Sequence, residues 1–361
     1  MKLVIFAGGV GTRLWPMSRK NSPKQFGKIF GDKSTLQQTI DRLLPDFSYD
    51  DIFVATGKQY KDIISEQLSH IPQENFIFEP AMRDVGPAIG MVALLLAQKF
   101  PDEPVAILWS DHLVRNEELF RKSLVLAGKD ISAKKADFIF LTQAPRFASQ
   151  NMGWIELGQN GERVEEDISV HEFKKLIYRP NLDEAESFMK DKNFVWNLGY
   201  FVTTPRFLSS LFAKHAPDMF SELNKIAASY DSDEFNSIVE EVYPGLEKIS
   251  FDDAVLTKMS KEKVLVYCSD LRWSDIGAWE SLKEALADDE MENVIRGNVV
   301  VNDSKDSLVF NDTEQLVVGI DLNGFVVINT PDVILICPKD SVPKIKKFVE
   351  TLSGTPHEHL T

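Results

Sequence analysis

The sequence predicts an α/β protein, a mostly parallel sheet with helices on both faces, followed by a small all-β domain. Three observations carry this. Short, wholly apolar runs alternate with helical patterns through the first part of the chain, as repeated βα units with crossover helices do. The first such run, Leu3–Ala7, is too short for a helix and ends on Gly8 and Gly9, the mark of a fully buried parallel strand. After Asn293 the pattern changes to brief strand runs separated by Asn, Asp and Gly turns.

Element by element, a strand starts at residue 2, and further strand runs follow at Asp51–Thr56, Phe76–Phe78, Val105–Trp109 and Phe138–Leu141. The helical pattern after the first strand opens on Ser34 and sets Leu36, Ile40, Leu43 and Leu44 on one face. Pro87 stands just inside a helix Ala88–Lys99, where its missing N–H costs nothing, and Lys99 complements the dipole at the far end. Between about 150 and 290 the pattern is mixed, with strands near Gly153–Leu157, His171–Leu176 and Gly199–Thr203. This stretch reads as an elaboration of the same sheet that supplies a second substrate's pocket. The all-β part takes Val299–Val301, Leu308–Phe310, Leu316–Ile320, Phe325–Ile328 and Val333–Ile336, closed by a helix near Val342–Leu352. Nothing repeats at a fixed period. The expected domains are residues 1–290 and 291–361.

A chain of 361 residues, 43% hydrophobic, can bury a sizeable core. No apolar stretch approaches the ~20 residues that span a bilayer, and Met1-Lys2 leads straight into a strand, so a soluble cytoplasmic protein without membrane contact is expected. Two cysteines, Cys268 and Cys337, exclude a disulfide framework and a zinc ribbon and fit a reducing compartment. A formal net charge of −15 argues against nucleic acid as a partner, since that affinity needs lysine and arginine against phosphates. An anionic substrate must then meet a local cationic pocket.

The glycine-rich turn supplies one. Gly8, Gly9 and Gly11 remove the side chains that would keep phosphate oxygens from backbone N–H groups, and Thr12 adds a hydroxyl donor. Arg13 and Lys24 follow as cations, one a planar fork and the other a point charge. The spacing matches neither G-x-G-x-x-G nor G-x-x-x-x-G-K-[ST], so it argues for neither a dinucleotide site nor a P-loop. Taken alone, the turn is equally a tight bend with solvated cations. Asp111 lies just past a buried strand, at the edge where open α/β sheets bind ligands, and Asp275 lies ahead of a helix. Each alone reads also as a turn former or helix cap. Together they suit magnesium, which takes oxygen ligands from one or two carboxylates plus substrate phosphates. His112 reads as a packed or hydrogen-bonding neighbour, because no second His or Cys lies at zinc spacing.

Ala7-Gly-Gly-Val-Gly-Thr-Arg-Leu-Trp-Pro-Met-Ser18 with Pro23-Lys-Gln-Phe26 resembles the signature of the sugar-1-phosphate nucleotidyltransferases. Its Leu-Trp-Pro and Pro-Lys-Gln-Phe parts resemble the mannose-1-phosphate guanylyltransferases in particular, and the likeness continues to about residue 350. The resemblance implies a Rossmann-like, GT-A-like catalytic domain and a short left-handed β-helix at the end. It also implies GTP as co-substrate, Mg2+ as cofactor and a sugar 1-phosphate as acceptor, most simply mannose 1-phosphate, giving GDP-mannose. Asp111 and Asp275 fall in segments like the family's metal motifs. Phe78-Glu-Pro-Ala-Met-Arg-Asp-Val-Gly-Pro-Ala-Ile89 resembles the base-binding segment, which assigns Glu79 and Gly86 to the nucleotide; Asp84, Val85 and Gly86 depart from the usual Asn, Thr and Ala.

Gly153-Trp-Ile-Glu156 and Trp196-Asn-Leu-Gly-Tyr-Phe201 resemble sugar-binding elements, which assigns Gly153 and Asn197 to the sugar. Leu176-Ile-Tyr-Arg-Pro180 stands where the family has Phe-x-Glu-Lys-Pro. Arg179 can replace lysine as a phosphate partner, whereas Tyr178 cannot replace a charged acceptor, though its hydroxyl can meet a sugar oxygen. The same chemistry with another nucleotide or sugar, and a non-catalytic regulatory homologue, both remain open at this point. The β domain offers a self-association surface for a homodimer.

Overall fold

The computed structural model describes residues 1–9, 11–19, 23–29, 31–158, 162–165 and 167–361, with backbone alone for Thr12 and for 162–165. Its strands, in chain order, are β1 (Lys2–Phe6), β2 (Ile52–Gly57), β3 (Phe76–Glu79), β4 (Val105–Trp109), β5 (Leu113–Val114), β6 (Phe138–Gln143), β7 (Gly153–Leu157), β8 (Glu162–Glu165), β9 (Ile168–Tyr178), β10 (Phe194–Thr203), β11 (Val264–Cys268), β12 (Trp273–Ser274), β13 (Val294–Arg296), β14 (Val299–Asn302), β15 (Leu308–Asn311), β16 (Val317–Ile320), β17 (Phe325–Asn329) and β18 (Ile334–Pro338). The chain forms two compact units. The first holds Met1–Gly8, Ile40–Trp109 and Asn116–Leu271; the second holds Gly9–Thr39, Ser110–Arg115 and Arg272–Thr361.

The first unit is a sheet in the order β3-β2-β1-β4-β10-β6-β11-β9-β7, with β8 on β9. Its leading half is parallel, from β3 through β4, as the apolar runs predict. β10 then enters antiparallel between β4 and β6, and β11 returns parallel beside β6. The helix Val85–Lys99 is almost wholly buried and packs its Ile89, Val92 and Leu96 with Val4, Phe6 and Ile107. It starts three residues before the predicted Ala88, because the Asp84 carboxylate caps the Val85 N–H at 2.8 Å. β10 runs well upstream of the predicted Gly199 start. A register shift between Asn197 and Phe201, with Gly199 at φ 78°, breaks its alternation and hides its first half from a period-two reading.

The second unit carries the β-helix-like coil. β13, β15 and β17 stack in parallel and β18 closes them antiparallel, while β14 pairs β16 in parallel. Register partners run Val294–Leu308 and then Leu308–Val326, so successive coils differ in length, which is why no fixed period is visible in the sequence. The closing segment is a 3-10 turn Lys339–Lys344 followed by the helix Ile345–Thr351, with Pro343 keeping the first part out of α geometry.

One apolar core joins this coil to the glycine-loop segment: Leu14, Trp15 and Ile29 pack with Trp279, Leu282, Phe310, Ile328 and Val349. Trp15 is the pivot. Its indole N–H donates to the Leu360 carbonyl at 2.7 Å, its own carbonyl accepts the Trp279 indole N–H at 2.9 Å, and Phe348 meets its ring edge-on. Arg19 adds a two-pronged pair with Asp332, at 2.7 and 2.6 Å. Among the described residues, no helix is long and apolar enough to cross a membrane.

Trp279→Phe keeps an aromatic ring but removes the indole N–H along with part of the buried ring volume, and leaves the Trp15 carbonyl without that donor. The expected cost is about 1–3 kcal/mol in urea unfolding; an unchanged midpoint removes this hydrogen bond from the account.

Candidate active site

Asp111 and Asp275, far apart in sequence, come together because β5 and β12 form a two-stranded antiparallel ladder with Leu113 opposite Ser274. Lys24 lies between their segments. Its ammonium pairs with Asp111 Oδ2 at 2.7 Å and donates to the carbonyls of Ile276 at 3.2 Å and Asp275 at 3.5 Å. The side chain is only 9% exposed. A Cβ at Gly11 would stand 2.9 Å from Lys24 Cγ, and Gly11 has φ 61°, so glycine is required there both for the turn and for the passage of the lysine stem. Gly8 and Gly9 instead border open space, Gly9 at φ 93°, which leaves room beside the backbone. Gln25 Nε2 ties the loop shut on the Gly9 carbonyl at 3.2 Å. The side chain of Thr12 lies outside the described part of the structure.

Arg13 and the Asp275 carboxylate flank Gly277, whose missing Cβ would lie 3.2 Å from Arg13 Nη2 and 3.0 Å from Asp275 Oδ2. Burial pushes the Asp111 carboxyl up, but Lys24 and His112 outweigh it and hold the group below the ordinary carboxylate range. The Trp273 indole donates to His112 Nδ1 at 3.1 Å. Because indole can only donate, the neutral His112 carries its proton on Nε2, which faces Asp111 Oδ1 at 3.8 Å. His112 thus accepts a hydrogen bond from Trp273 and lies beside the Asp111 carboxylate. Glu280, in the first turn of the helix Trp279–Leu286, is a member of this cluster that sequence reading missed. Its Oε2 is buried without a partner, and burial raises its carboxyl against the pull of Arg13. An acidic residue in a first helical turn ordinarily reads as a dipole partner, so nothing in the sequence singled it out.

The donor set fits a hard divalent cation. It consists of two carboxylates and backbone carbonyls, and the ammonium already lies among three protein oxygens. Among the described residues, no group of three or more His, Cys, Asp and Glu side chains gathers into a metal cluster, here or elsewhere, so this set offers two carboxylates only.

The remaining predicted residues lie in the first unit. Glu79, at the end of β3, accepts a hydrogen bond from the Tyr243 hydroxyl, and burial pushes its carboxyl up to about 7. Gly86 donates its N–H to the Ile249 carbonyl at 3.0 Å, and a Cβ there would stand 2.6 Å from that oxygen; close packing, not an open face, requires this glycine. Arg83 donates to the Pro244 carbonyl, so it is held by the same turn as Tyr243.

Gly153, Tyr178 and Asn197 are cross-strand neighbours: Gly153 pairs Tyr178 on β9 and Asn197 on β10. A Cβ at Gly153 would come 3.2 Å from Asn197 Cβ, so the glycine makes way for the asparagine. Asn197 Oδ1 accepts the Gly199 N–H at 3.0 Å, and its Nδ2 points to Asp252 Oδ1 at 3.4 Å. Arg179 has φ 51° and stacks its guanidinium 4.9 Å over the Tyr178 ring. Asp252, also missed from the sequence, faces Asn197 and Arg179, and burial raises its carboxyl to about 6. It was hidden because Ser250 caps this short helix through Asp253, which makes the Asp-Asp pair read as capping chemistry.

Comparison with known proteins identifies the family. The nucleotidyl transferase family model matches residues 2–292, and the MannoseP isomerase/GMP-like β-helix domain model matches residues 297–352. A mannose-1-phosphate guanylyltransferase of Escherichia coli is 33% identical, covering 97% of this chain and 75% of its own. The alginate biosynthesis protein AlgA of Pseudomonas putida is 32% identical over 97% of this chain and 71% of its own. A solved structure from Thermus thermophilus, named as a mannose-1-phosphate geranyltransferase, superposes with a TM-score of 0.84 at 28% identity, covering 98% of this chain and 99% of that one. Nucleotidyltransferases of this family act on a nucleoside triphosphate and a sugar 1-phosphate and generally use a divalent metal. With its signature loop, paired aspartates and terminal β coil, the chain belongs to the nucleotidyl transferase family.

Proposed function

We propose that this protein transfers GMP from GTP to α-D-mannose 1-phosphate, giving GDP-mannose and pyrophosphate. The observation that carries the reading is the cluster of Arg13, Lys24, Asp111 and Asp275 on a glycine-rich turn, in a chain whose relatives are named mannose-1-phosphate guanylyltransferases over about three quarters of their length. A sugar phosphate oxygen attacks the α-phosphorus of GTP and pyrophosphate leaves. The attacking phosphate is already ionised, so no general base is required, and catalysis is positioning and charge stabilisation. Arg13 stabilises charge on the α and β phosphates and the leaving pyrophosphate, and Lys24 bridges the triphosphate and the incoming phosphate. Gly8, Gly9, Gly11 and Thr12 receive the triphosphate. Asp111 and Asp275 hold Mg2+, whose chemistry here is neutralising charge on the phosphate oxygens. Glu79 accepts N–H groups of guanine, beside Gly86. Arg179 binds the sugar phosphate, while Gly153, Tyr178 and Asn197 face the sugar.

Residues 1–290 would then be the catalytic domain and 291–361 its β-helix support. Val300, Val318 and Ile320, outward and apolar on β14 and β16, favour pairing of two copies as a homodimer. The net charge of −15 speaks against nucleic acid as a partner, and the two unpaired cysteines suit the cytoplasm, away from any membrane. A second reading keeps the chemistry with a different sugar 1-phosphate; the neutral Tyr178 beside Asp252 favours it.

Pyrophosphate release with each of GTP, ATP, UTP, CTP and dTTP against a set of hexose 1-phosphates separates these readings, with GTP and mannose 1-phosphate expected to give the fastest turnover. Lys24→Ala is expected to lose about 10²–10³ in turnover while remaining folded; near-normal turnover removes Lys24 from the mechanism. Glu79 accepts from guanine as a carboxylate, so the KM for GTP is expected to fall as pH rises through about 7, and Glu79→Gln to lose that dependence. A KM flat across this range in the wild type sinks the assignment.

A further inference from the structure

We infer that Lys24 is a built-in counter-ion for the metal carboxylates: in the nucleotide-free protein it occupies Asp111 and keeps a divalent cation out, and it yields when a triphosphate takes its ammonium. This rests on the reading of Asp111 and Asp275 as the metal ligands and deepens it.

The geometry engages one oxygen of Asp111 and sets His112 near the other. Oδ2 is paired with the Lys24 ammonium at 2.7 Å, and Oδ1 is faced by the Nε2–H of His112, whose tautomer the Trp273 indole fixes. The ammonium is further held by the Ile276 and Asp275 carbonyls, so a protein-made set of oxygens already surrounds one positive charge. The charge count agrees. Asp111 and Asp275 contribute two negative charges, while Lys24 and Arg13, the latter beside Asp275, contribute two positive ones; Glu280 adds a third carboxyl near Arg13, whose ionisation burial opposes. With these two cations beside them, the aspartates attract a divalent ion less than they would without the lysine.

A metal bound to the same carboxylate at about 2.1 Å would stand within roughly 4 Å of the ammonium, and like charges so close repel strongly at the effective dielectric of a protein. A triphosphate changes the balance on both sides: it adds several negative charges and offers Lys24 new oxygen partners. Metal and nucleotide therefore enter together. Gly11 serves the device as well, because only a glycine lets the lysine stem lie against the loop that receives the phosphates.

The test is nucleotide-free Mn2+ binding to the full-length protein, followed by electron paramagnetic resonance, in the wild type, Lys24→Gln, Asp111→Asn and the double variant. Lys24→Gln is expected to bind Mn2+ at least about tenfold more tightly than the wild type, with the gain abolished by adding Asp111→Asn. Unchanged or weaker binding in Lys24→Gln, with Asp111→Asn still lowering wild-type affinity, overturns the counter-ion role and leaves the metal reading standing. Indifference of every variant to Asp111→Asn overturns both.

Should Lys24→Gln fail to fold, the wild type still answers. Millimolar Mn2+ alone is expected to leave the rate of Lys24 acetylation by an amine-reactive reagent unchanged, read by mass spectrometry, because without a triphosphate the ammonium stays on Asp111. A rate raised several-fold by Mn2+ alone overturns the proposal.

Discussion

The ion pair between Lys24 and Asp111 is the contact on which the second unit is organised. A buried charge without a partner is costly, so the nearly buried Lys24 ammonium is held by Asp111 and two carbonyls. Lys24 must arrive from the Pro-Lys-Gln-Phe segment and Asp111 from the residues after β4, while the flanking carbonyls of Asp275 and Ile276 come from a third, distant stretch. One ammonium thereby fixes three pieces of chain that carry the phosphate and metal chemistry. The glycine at position 11, the Gln25 hydrogen bond to Gly9 and the β5–β12 ladder all serve that convergence.

The β coil has a physical role in this arrangement. A glycine-rich loop cannot hold a charged lysine in place by itself, because glycine has the largest conformational freedom to lose. The loop is instead anchored through Leu14 and Trp15 into a core built largely from the coil and the helix Trp279–Leu286. The same helix carries Glu280 in its first turn and follows Asp275 closely. Lys283, almost fully buried, fastens it to Asp306, which also binds Lys339. Stiffness of the coil is thus delivered to the loop, and a site of this chemistry depends on such stiffness.

Much of this was legible in the sequence. The strand-turn opening, the parallel leading half of the sheet and the all-β ending follow from periodicity and turn residues. The signature loop named its cations, and Asp111 and Asp275 were readable from their position beside strand ends and helix starts. What escaped has a common cause. Asp252 and Glu280 lie in first helical turns, where acidic residues are expected for dipole and capping reasons, so their electrostatic coupling to Arg179 and Arg13 appears only when the chain is folded. The early half of β10 was hidden by the bulge at Gly199, and the coil repeat by unequal turn lengths. Gly11 and Gly86 were read as making room for a ligand, whereas the atoms nearest to a Cβ at each are Lys24 Cγ and the Ile249 carbonyl, which come from elsewhere in the chain.

The claim at the centre is that a sugar phosphate displaces pyrophosphate at the α-phosphorus of GTP. A 31P NMR time course of the wild-type protein with GTP, mannose 1-phosphate and magnesium tests it most directly. The account predicts that the sugar-monophosphate resonance disappears in step with the growth of pyrophosphate and of the two coupled phosphorus signals of a nucleotide diphosphate sugar. A persistent sugar-phosphate resonance, with GTP either intact or hydrolysed to GDP and inorganic phosphate, contradicts it.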